Sequence, residues 1–382
     1  MRIAVPKENQ EAERRVALVP EVVRKLSGRG IDLVVETGAG IGALIDDAAF
    51  AEAGATIVDA EAVWKSDLVV TIAPPTPQQI AAMNPGAMLV GFLAPLTSAA
   101  TAVAARDAKV TALAMEAVPR ISRAQAIDAL SSQSNVAGYE AVILAAEQLT
   151  RFFPMLMTAA GTIPPAKVLV LGAGVAGLQA LATARRLGAV VTGYDVRPEV
   201  AEQVESLGAS FLDLGIEASG EGGYARELSE DERAAQQQAL NDAITGFDVV
   251  ITTALVPGRP APKLVSAQAV EGMRAGSVIV DMAGESGGNC ELTEPGQTVV
   301  RHGVTILSPL NLPAQMPEHS SQLYARNVLA LLDLMINDGE AGTEATLAPD
   351  FDDEIIAGSC IVRDGEILHA GAKAAVESGQ GA

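Results

Sequence analysis

The run Lys167-Val168-Leu169-Val170-Leu171-Gly172-Ala173-Gly174-Val175-Ala176-Gly177 holds the residues whose spacing speaks most directly of chemistry. An apolar, β-branched segment ends in Gly-x-Gly-x-x-Gly and feeds a helix-like stretch over residues 178–187; a second strand, 189–194, ends at Asp195. Strand, glycine turn, helix and a closing acid are the parts of a dinucleotide site. Gly172 permits the tight turn, Gly174 lets backbone amides approach a pyrophosphate, and Gly177 lets the helix pack on the strand. The helix N-terminus offers unpaired N–H groups and a positive dipole end to the phosphates. Asp195 can accept a bond from a ribose 2′-OH and repels a 2′-phosphate, which favours NAD(H) over NADP(H). Arg197 stands beside it and can instead meet a phosphate, or be a surface residue before Pro198.

A second constellation lies upstream. Pro119-Arg120-Ile121-Ser122-Arg123-Ala124-Gln125-Ala126-Ile127-Asp128-Ala129-Leu130-Ser131-Ser132-Gln133-Ser134-Asn135 gathers guanidinium groups, amides, a carboxylate and hydroxyls between an apolar strand end and a long apolar helix. Such groups can fix a carboxamide and a ribose in a mainly apolar cleft. The same residues also read as a capped helix start, with Asp128 or Ser131 as N-cap.

The elements that must position these groups follow from composition and pattern. The chain has 382 residues, 49% hydrophobic and only 3% aromatic, so two domains with aliphatic cores are expected. A formal charge of −21 argues against nucleic acid and anionic membrane surfaces, and is compatible with a partner presenting a basic face. Two cysteines, Cys290 and Cys360, give no disulfide framework, and His302, His319 and His369 show no metal-site spacing. The N-terminus goes straight to charge and proline, unlike a signal peptide. Residues 78–105 carry no charge, but Pro85, Gly86, Gly91 and Pro95 break them into a strand (87–92), a turn and a helix (97–106) rather than a membrane span.

Strands are expected at residues 2–5, 31–36, 55–58, 67–72, 87–92 and 109–114, with helices at 20–27, 46–53, 76–83 and 97–106 between them. A long helix over 131–152 leads through a proline-rich loop, 154–165, to the glycine fingerprint. Further strands are expected at 209–212, 248–252, 277–281 and 304–307, and a helix at 322–336. Residues 215–223 are glycine-rich and acidic and read as mobile, and residues 338–349 as acidic and loose. A closing hairpin is expected from 354–362 and 366–368 across Arg363-Asp364-Gly365. The fold class is α/β: two βα domains with mostly parallel sheets, the second a Rossmann dinucleotide-binding domain.

The loop residues Pro119 to Gln125, Asp128 and Ser131 to Asn135 resemble the nicotinamide-side loop of proton-translocating nicotinamide nucleotide transhydrogenases, specifically their NAD(H)-binding component. Further matches are Pro6-Lys7-Glu8, Arg15-Val16-Ala17, Gly172 to Gly177, Gly222-Gly223-Tyr224-Ala225, Thr252-Thr253-Ala254-Leu255-Val256-Pro257-Gly258 and Gly287-Gly288-Asn289-Cys290. The resemblance runs over essentially the whole chain, and with no membrane segment after Ala382 it is similar to the split-gene form. It implies one domain from residues 1–130 completed by 318–382, and a Rossmann domain at 131–317. It implies that Arg120, Gln125, Asp128 and Ser131, within a loop that includes Ile121, Ser122 and Arg123, hold the nicotinamide and its ribose. Ala173, Gly174 and Val175 would then meet the pyrophosphate, with Asp195, Val196 and Arg197 at the adenosine end. Gly223, Gln236 and Leu255 would contact the cofactor, and Tyr224 would close over it from the loop. It implies, too, that NADP(H) is held by a separate subunit, that a membrane subunit couples hydride transfer to proton movement, and that the chain is a homodimer, peripheral on the cytoplasmic face.

Alanine dehydrogenase shares this architecture and is the alternative. Its chemistry needs a cation for a carboxylate and a histidine for proton transfer. The matching positions here are Ala73 and Ala94, and no histidine precedes residue 302. Hydride transfer between two nicotinamide rings needs no such group, only apposition of the rings and exclusion of water.

Overall fold

The β-branched segments form two largely parallel sheets, each buried on both faces. A computed structural model describes residues 1–10, 12–214, 229–256, 258–338 and 345–377. It divides into two units, Met1–Gln133 with Pro313–Ala382, and Ser134–Leu312. The expected mobile segment 215–223, residues 339–344 of the segment 338–349 expected to be loose, and Tyr224 lie outside the described residues; the described part of 338–349 includes a short strand, Thr346–Leu347, paired antiparallel with Ile336–Asn337.

In the first unit eight strands lie in the order Glu366–Ile367, Cys360–Arg363, Thr111–Ala114, Met88–Gly91, Leu68–Val70, Arg2–Val5, Asp32–Glu36, Ala55–Val58. The last six pair in parallel. Their chain order across the sheet is sixth, fifth, fourth, first, second, third, which is the doubly wound arrangement, with its switch point between Arg2–Val5 and Leu68–Val70. Side chains alternate between two cores. Ile3, Val5, Leu33, Val35, Leu68 and Val70 enter one; Ala4, Val34 and Val69 enter the other. That two-sided burial is why the strands read as unbroken apolar runs.

The second unit repeats the winding. Its strands lie in the order Ser210–Phe211, Val190–Tyr194, Lys167–Leu171, Val249–Thr252, Val278–Asp281, Val304–Leu307, Thr298–Arg301. All pairings are parallel except the last, Thr298–Arg301 against Val304–Leu307. Val168 and Val170 face one core, Leu169 and Leu171 the other. The switch point falls between Lys167–Leu171, which ends in the glycine turn, and Val249–Thr252.

Two expectations are corrected. Residues 354–359 are a helix, not a strand: the Asp353 carboxylate caps it by accepting the Ile355 N–H at 2.8 Å, and the strand begins only at Cys360. The hairpin itself stands, with Asp364 and Gly365 at φ 52° and 77° in the two-residue turn that Asp-Gly favours. The proline-rich loop contains a small antiparallel pair, Leu156–Thr158 with Gly161–Ile163. The structure also adds elements that the sequence pattern does not announce, among them the helix Glu230–Ile244, opened by a Ser229/Glu232 capping box, and the edge strand Thr298–Arg301.

Candidate functional site

The glycine turn of the second unit shows three different reasons for three glycines. Gly172 sits at φ +102°, and a Cβ there would lie 2.5 Å from the Thr253 hydroxyl, which itself donates to the Gly172 carbonyl at 3.0 Å. At Gly177 a Cβ would fall 1.8 Å from the Gly172 carbonyl oxygen, so helix and turn touch only because the side chain is missing. Gly174 is different: φ is −75°, and an added Cβ would meet nothing within 4 Å. Neither strain nor packing asks for glycine at position 174, which leaves the space above it for a ligand. Gly174 caps the helix Val175–Arg186 with no side-chain bond, so the first amides keep their capacity for an anion. Behind the turn, a Cβ at Gly138 on the helix Ala129–Gln148 would come within 2.1 Å of the Ala176 carbonyl oxygen; the sequence alone does not single out Gly138.

Asp195 is tied to this turn. Its carboxylate accepts the Ala173 N–H at 2.8 Å and the Arg197 N–H at 3.0 Å. The Arg197 guanidinium pairs with both oxygens, at 2.9 and 3.0 Å. Burial pushes the carboxyl up, but Arg197 and the two backbone N–H groups outweigh it and hold Asp195 below the usual carboxylate range. The acid is therefore an ionised acceptor whose charge is partly balanced by Arg197. Val196 (69% exposed) and Leu255 (55% exposed) present apolar surface to solvent. Gln236 lies half-buried on the helix Glu230–Ile244. The backbone before Leu255 is fixed by Asn289, which is fully buried. Its Oδ1 accepts the Ala254 N–H at 3.1 Å, and its Nδ2 donates to the carbonyls of Ala254 and Pro262, both at 2.8 Å. Gly223 and Tyr224 are outside the described residues.

In the first unit the polar loop is a two-faced turn. Residues Ser122–Ile127 form a 3-10 helix, whose period of three brings Ile121, Ala124 and Ile127 onto the apolar core. That leaves Ser122, Arg123 and Gln125 outward, together with Arg120, which has no ion pair among the described residues. Arg123 is committed elsewhere: its guanidinium makes a fork to the Asp353 carboxylate at 2.6 and 2.9 Å. Asp128 caps the following helix, accepting the Ser131 N–H at 2.9 Å on one oxygen and the Ser131 hydroxyl at 2.6 Å on the other. The capped helix start and the polar cluster are thus the same structure, and Asp128 fixes where the Ser131 hydroxyl stands.

Sequence reading missed the groups that close the strand ends of this unit. Glu8 accepts the N–H of Ile72 at 2.6 Å and of Ala73 at 3.1 Å. Glu116 accepts those of Leu93 at 3.2 Å and Ala94 at 2.6 Å. Both carboxyls are pushed up by burial, Glu8 to about 7 against the two backbone bonds that oppose it. Arg15, 7% exposed, forms a buried fork with Glu13 and donates to Gln133 at 2.8 Å, so it is an internal ion-pair residue. At Ala73 and Ala94 the chain's own Glu8 and Glu116 side chains accept the backbone N–H groups.

Two family models match this chain. "Alanine dehydrogenase/PNT, N-terminal domain" covers residues 4–137, and "Alanine dehydrogenase/PNT, C-terminal domain" covers residues 141–370. The chain belongs to the alanine dehydrogenase/PNT family. Within it, the chain is 48% identical over 381 residues to the first portion of NAD(P) transhydrogenase subunit alpha of Rhodospirillum rubrum, covering 97% of this chain and 98% of that one. It is 44% identical over 369 residues to NAD(P) transhydrogenase subunit alpha of Haemophilus influenzae, covering 96% of this chain and 71% of that one. An alanine dehydrogenase of Staphylococcus epidermidis is more distant, at 31% over 348 residues, covering 89% and 88%. Solved structures agree. A transhydrogenase from Sinorhizobium meliloti superposes with TM-score 0.84 at 40% identity, over 97% of this chain and 99% of that one. An L-alanine dehydrogenase superposes with TM-score 0.81 at 28% identity, over 99% of each chain. The family is therefore shared by two chemistries, and on identity this member stands with the transhydrogenases.

Proposed function

We propose that this chain is the NAD(H)-binding subunit of a proton-translocating NAD(P)+ transhydrogenase. In this reading Ala173, Gly174 and Val175 receive the pyrophosphate, and Asp195, Val196 and Arg197 receive the adenosine ribose. Arg120, Ile121, Ser122, Gln125, Asp128 and Ser131 hold the nicotinamide and its ribose, with Gly223, Tyr224, Gln236 and Leu255 completing the contacts. Arg123 shapes the loop through Asp353. A dinucleotide supplies the hydride itself; the side chains named here bind it, orient it and keep water from it. NADH and NADP+ become NAD+ and NADPH by transfer of one hydride, with no proton passing through this chain.

The observation that carries the reading against amino-acid dehydrogenation is the pair of alanines, Ala73 and Ala94, whose N–H groups are bonded by Glu8 and Glu116. Neither offers a cation or a proton carrier to a small organic acid. Among the described residues no helix is long and apolar enough to cross a membrane. In this reading a separate membrane subunit carries the proton movement, and the chain joins it on the cytoplasmic face as a homodimer. The test is direct. The purified chain, mixed with its NADP(H)-binding partner, should reduce an NADP+ analogue at the expense of NADH. It should not reduce NAD+ with alanine. The opposite pattern would assign the chain to the other branch of its family.

A further inference from the structure

The helix Pro317–Met335 packs Tyr324, Ala325, Val328, Leu331 and Leu332 into the first unit's core, and among them lies one carboxamide, Asn327, only 8% exposed. A buried amide is costly unless both of its ends are bonded. Both are. Its Nδ2 donates to the Ala126 carbonyl at 2.9 Å, and its Oδ1 lies 2.6 Å from the Ser132 hydroxyl, which donates to it. The orientation is forced, because a carbonyl such as that of Ala126 can only accept. Ala126 directly follows Gln125, and Ser132 directly follows Ser131. A single planar amide therefore spans the segment that contains Asp128 and ties together the backbone next to Gln125 and the helix turn next to Ser131. The neighbouring Gln133 strengthens the attachment by donating to the Ser320 carbonyl at 3.1 Å on the same helix.

We propose that Asn327 is a positioning residue for hydride transfer, which sets the distance between Gln125 and Ser131 without touching the dinucleotide. This rests on the assignment of those two residues to the nicotinamide end. Reaction rates fall steeply when reacting atoms are misplaced by about 1 Å, whereas affinity gathered along a whole dinucleotide does not. Loss of the clamp should therefore appear in the transfer step.

The experiment uses the full chain with its NADP(H)-binding partner, and compares Asn327→Ala, Asn327→Asp and Ser132→Ala with the parent. At saturating NADH, Asn327→Ala should slow transfer by about 10- to 100-fold. Its dissociation constant for NADH should stay within about threefold, and that for ADP-ribose, which lacks the nicotinamide, should be unchanged. Ser132→Ala removes one arm of the clamp and should fall between. Asn327→Asp sets a carboxylate against the Ala126 carbonyl, and regains the donor only when protonated. Its rate relative to the parent at each pH should therefore recover as pH falls from about 8 to 6. A variant that transfers hydride at the parent's rate overturns the proposal. So does a parallel loss of rate and ADP-ribose affinity, which would mark Asn327 as a prop of the fold alone. A parent that neither binds NADH nor turns over rejects the functional reading first, and this inference with it.

Discussion

At Gly174 and Gly177 the requirements of the fold and of a ligand separate. The missing side chain at Gly177 is needed by the protein, since a methyl group would overlap the Gly172 carbonyl at 1.8 Å. At Gly174 the same methyl would meet no protein atom within 4 Å. Gly177→Ala should thus destabilise the second unit, by about 1–3 kcal/mol from overpacking. Gly174→Ala should change stability by no more than about 1 kcal/mol, the scale of a helix cap. It should nonetheless weaken NADH binding about tenfold or more, because its methyl occupies the space a pyrophosphate would take. Urea unfolding and NADH titration of the two variants check this; equal affinities for parent and Gly174→Ala would remove the phosphate from that turn. These roles were legible in the sequence because each depends on residues a few positions apart. Asn327 was not: its partners lie 195 and 201 residues away. The one available signal was an amide on the buried stripe of an apolar helix.

Among the elements, the strand ends of the first unit show what spacing alone could not. Glu8 and Glu116 close neighbouring strand ends across 64 and 22 residues, and nothing local marks either as a backbone cap. Glu8 faces Glu13 and Arg15, and Tyr324 senses the same charges together with Glu116. With its carboxyl raised from 4.5 to about 7, Glu8 keeps its proton in the folded chain where the unfolded chain has released it. The stability this contributes is fully present below about pH 4.5 and declines as pH rises to about 7, with a slope of at most about 1.4 kcal/mol per pH unit. Glu8→Gln should flatten that decline, as unfolding at pH 5.5 and 7.5 would reveal; an undiminished slope in the variant would place the titrating group elsewhere. Elements with strong local signals were read closely, among them Arg2–Val5, Pro20–Ser27, Ala55–Val58 and Val304–Leu307. The errors came where local signals conflict. The apolar run from Ile355 suits strand or helix until Asp353 caps it, and Glu230–Ile244 is too polar to show an apolar stripe.

Over the whole molecule, one winding is used twice. Both units place six parallel strands in the doubly wound order, each with a switch point where a ligand can be held. The glycine turn stands at that point in the second unit. In the first, Glu8 and Arg15 fill the corresponding end with internal bonds, and the polar residues are displayed on a neighbouring loop instead. The sequence revealed the second unit's winding through its fingerprint, whereas the first unit's glycine-rich turn, Gly38, Gly40 and Gly42, follows the strand Asp32–Glu36 and not a strand at the switch point, so it does not advertise the same order. The residues assigned to the nicotinamide position it and take no proton from it, so the central claim concerns the fate of a single hydrogen. That claim is tested by loading the chain with NADH deuterated at the transferred C4 position and supplying NADP+ on the partner subunit, in ordinary water. Direct transfer predicts that the deuterium is recovered in NADPH without dilution. Deuterium found in solvent or on a small organic acid would contradict it.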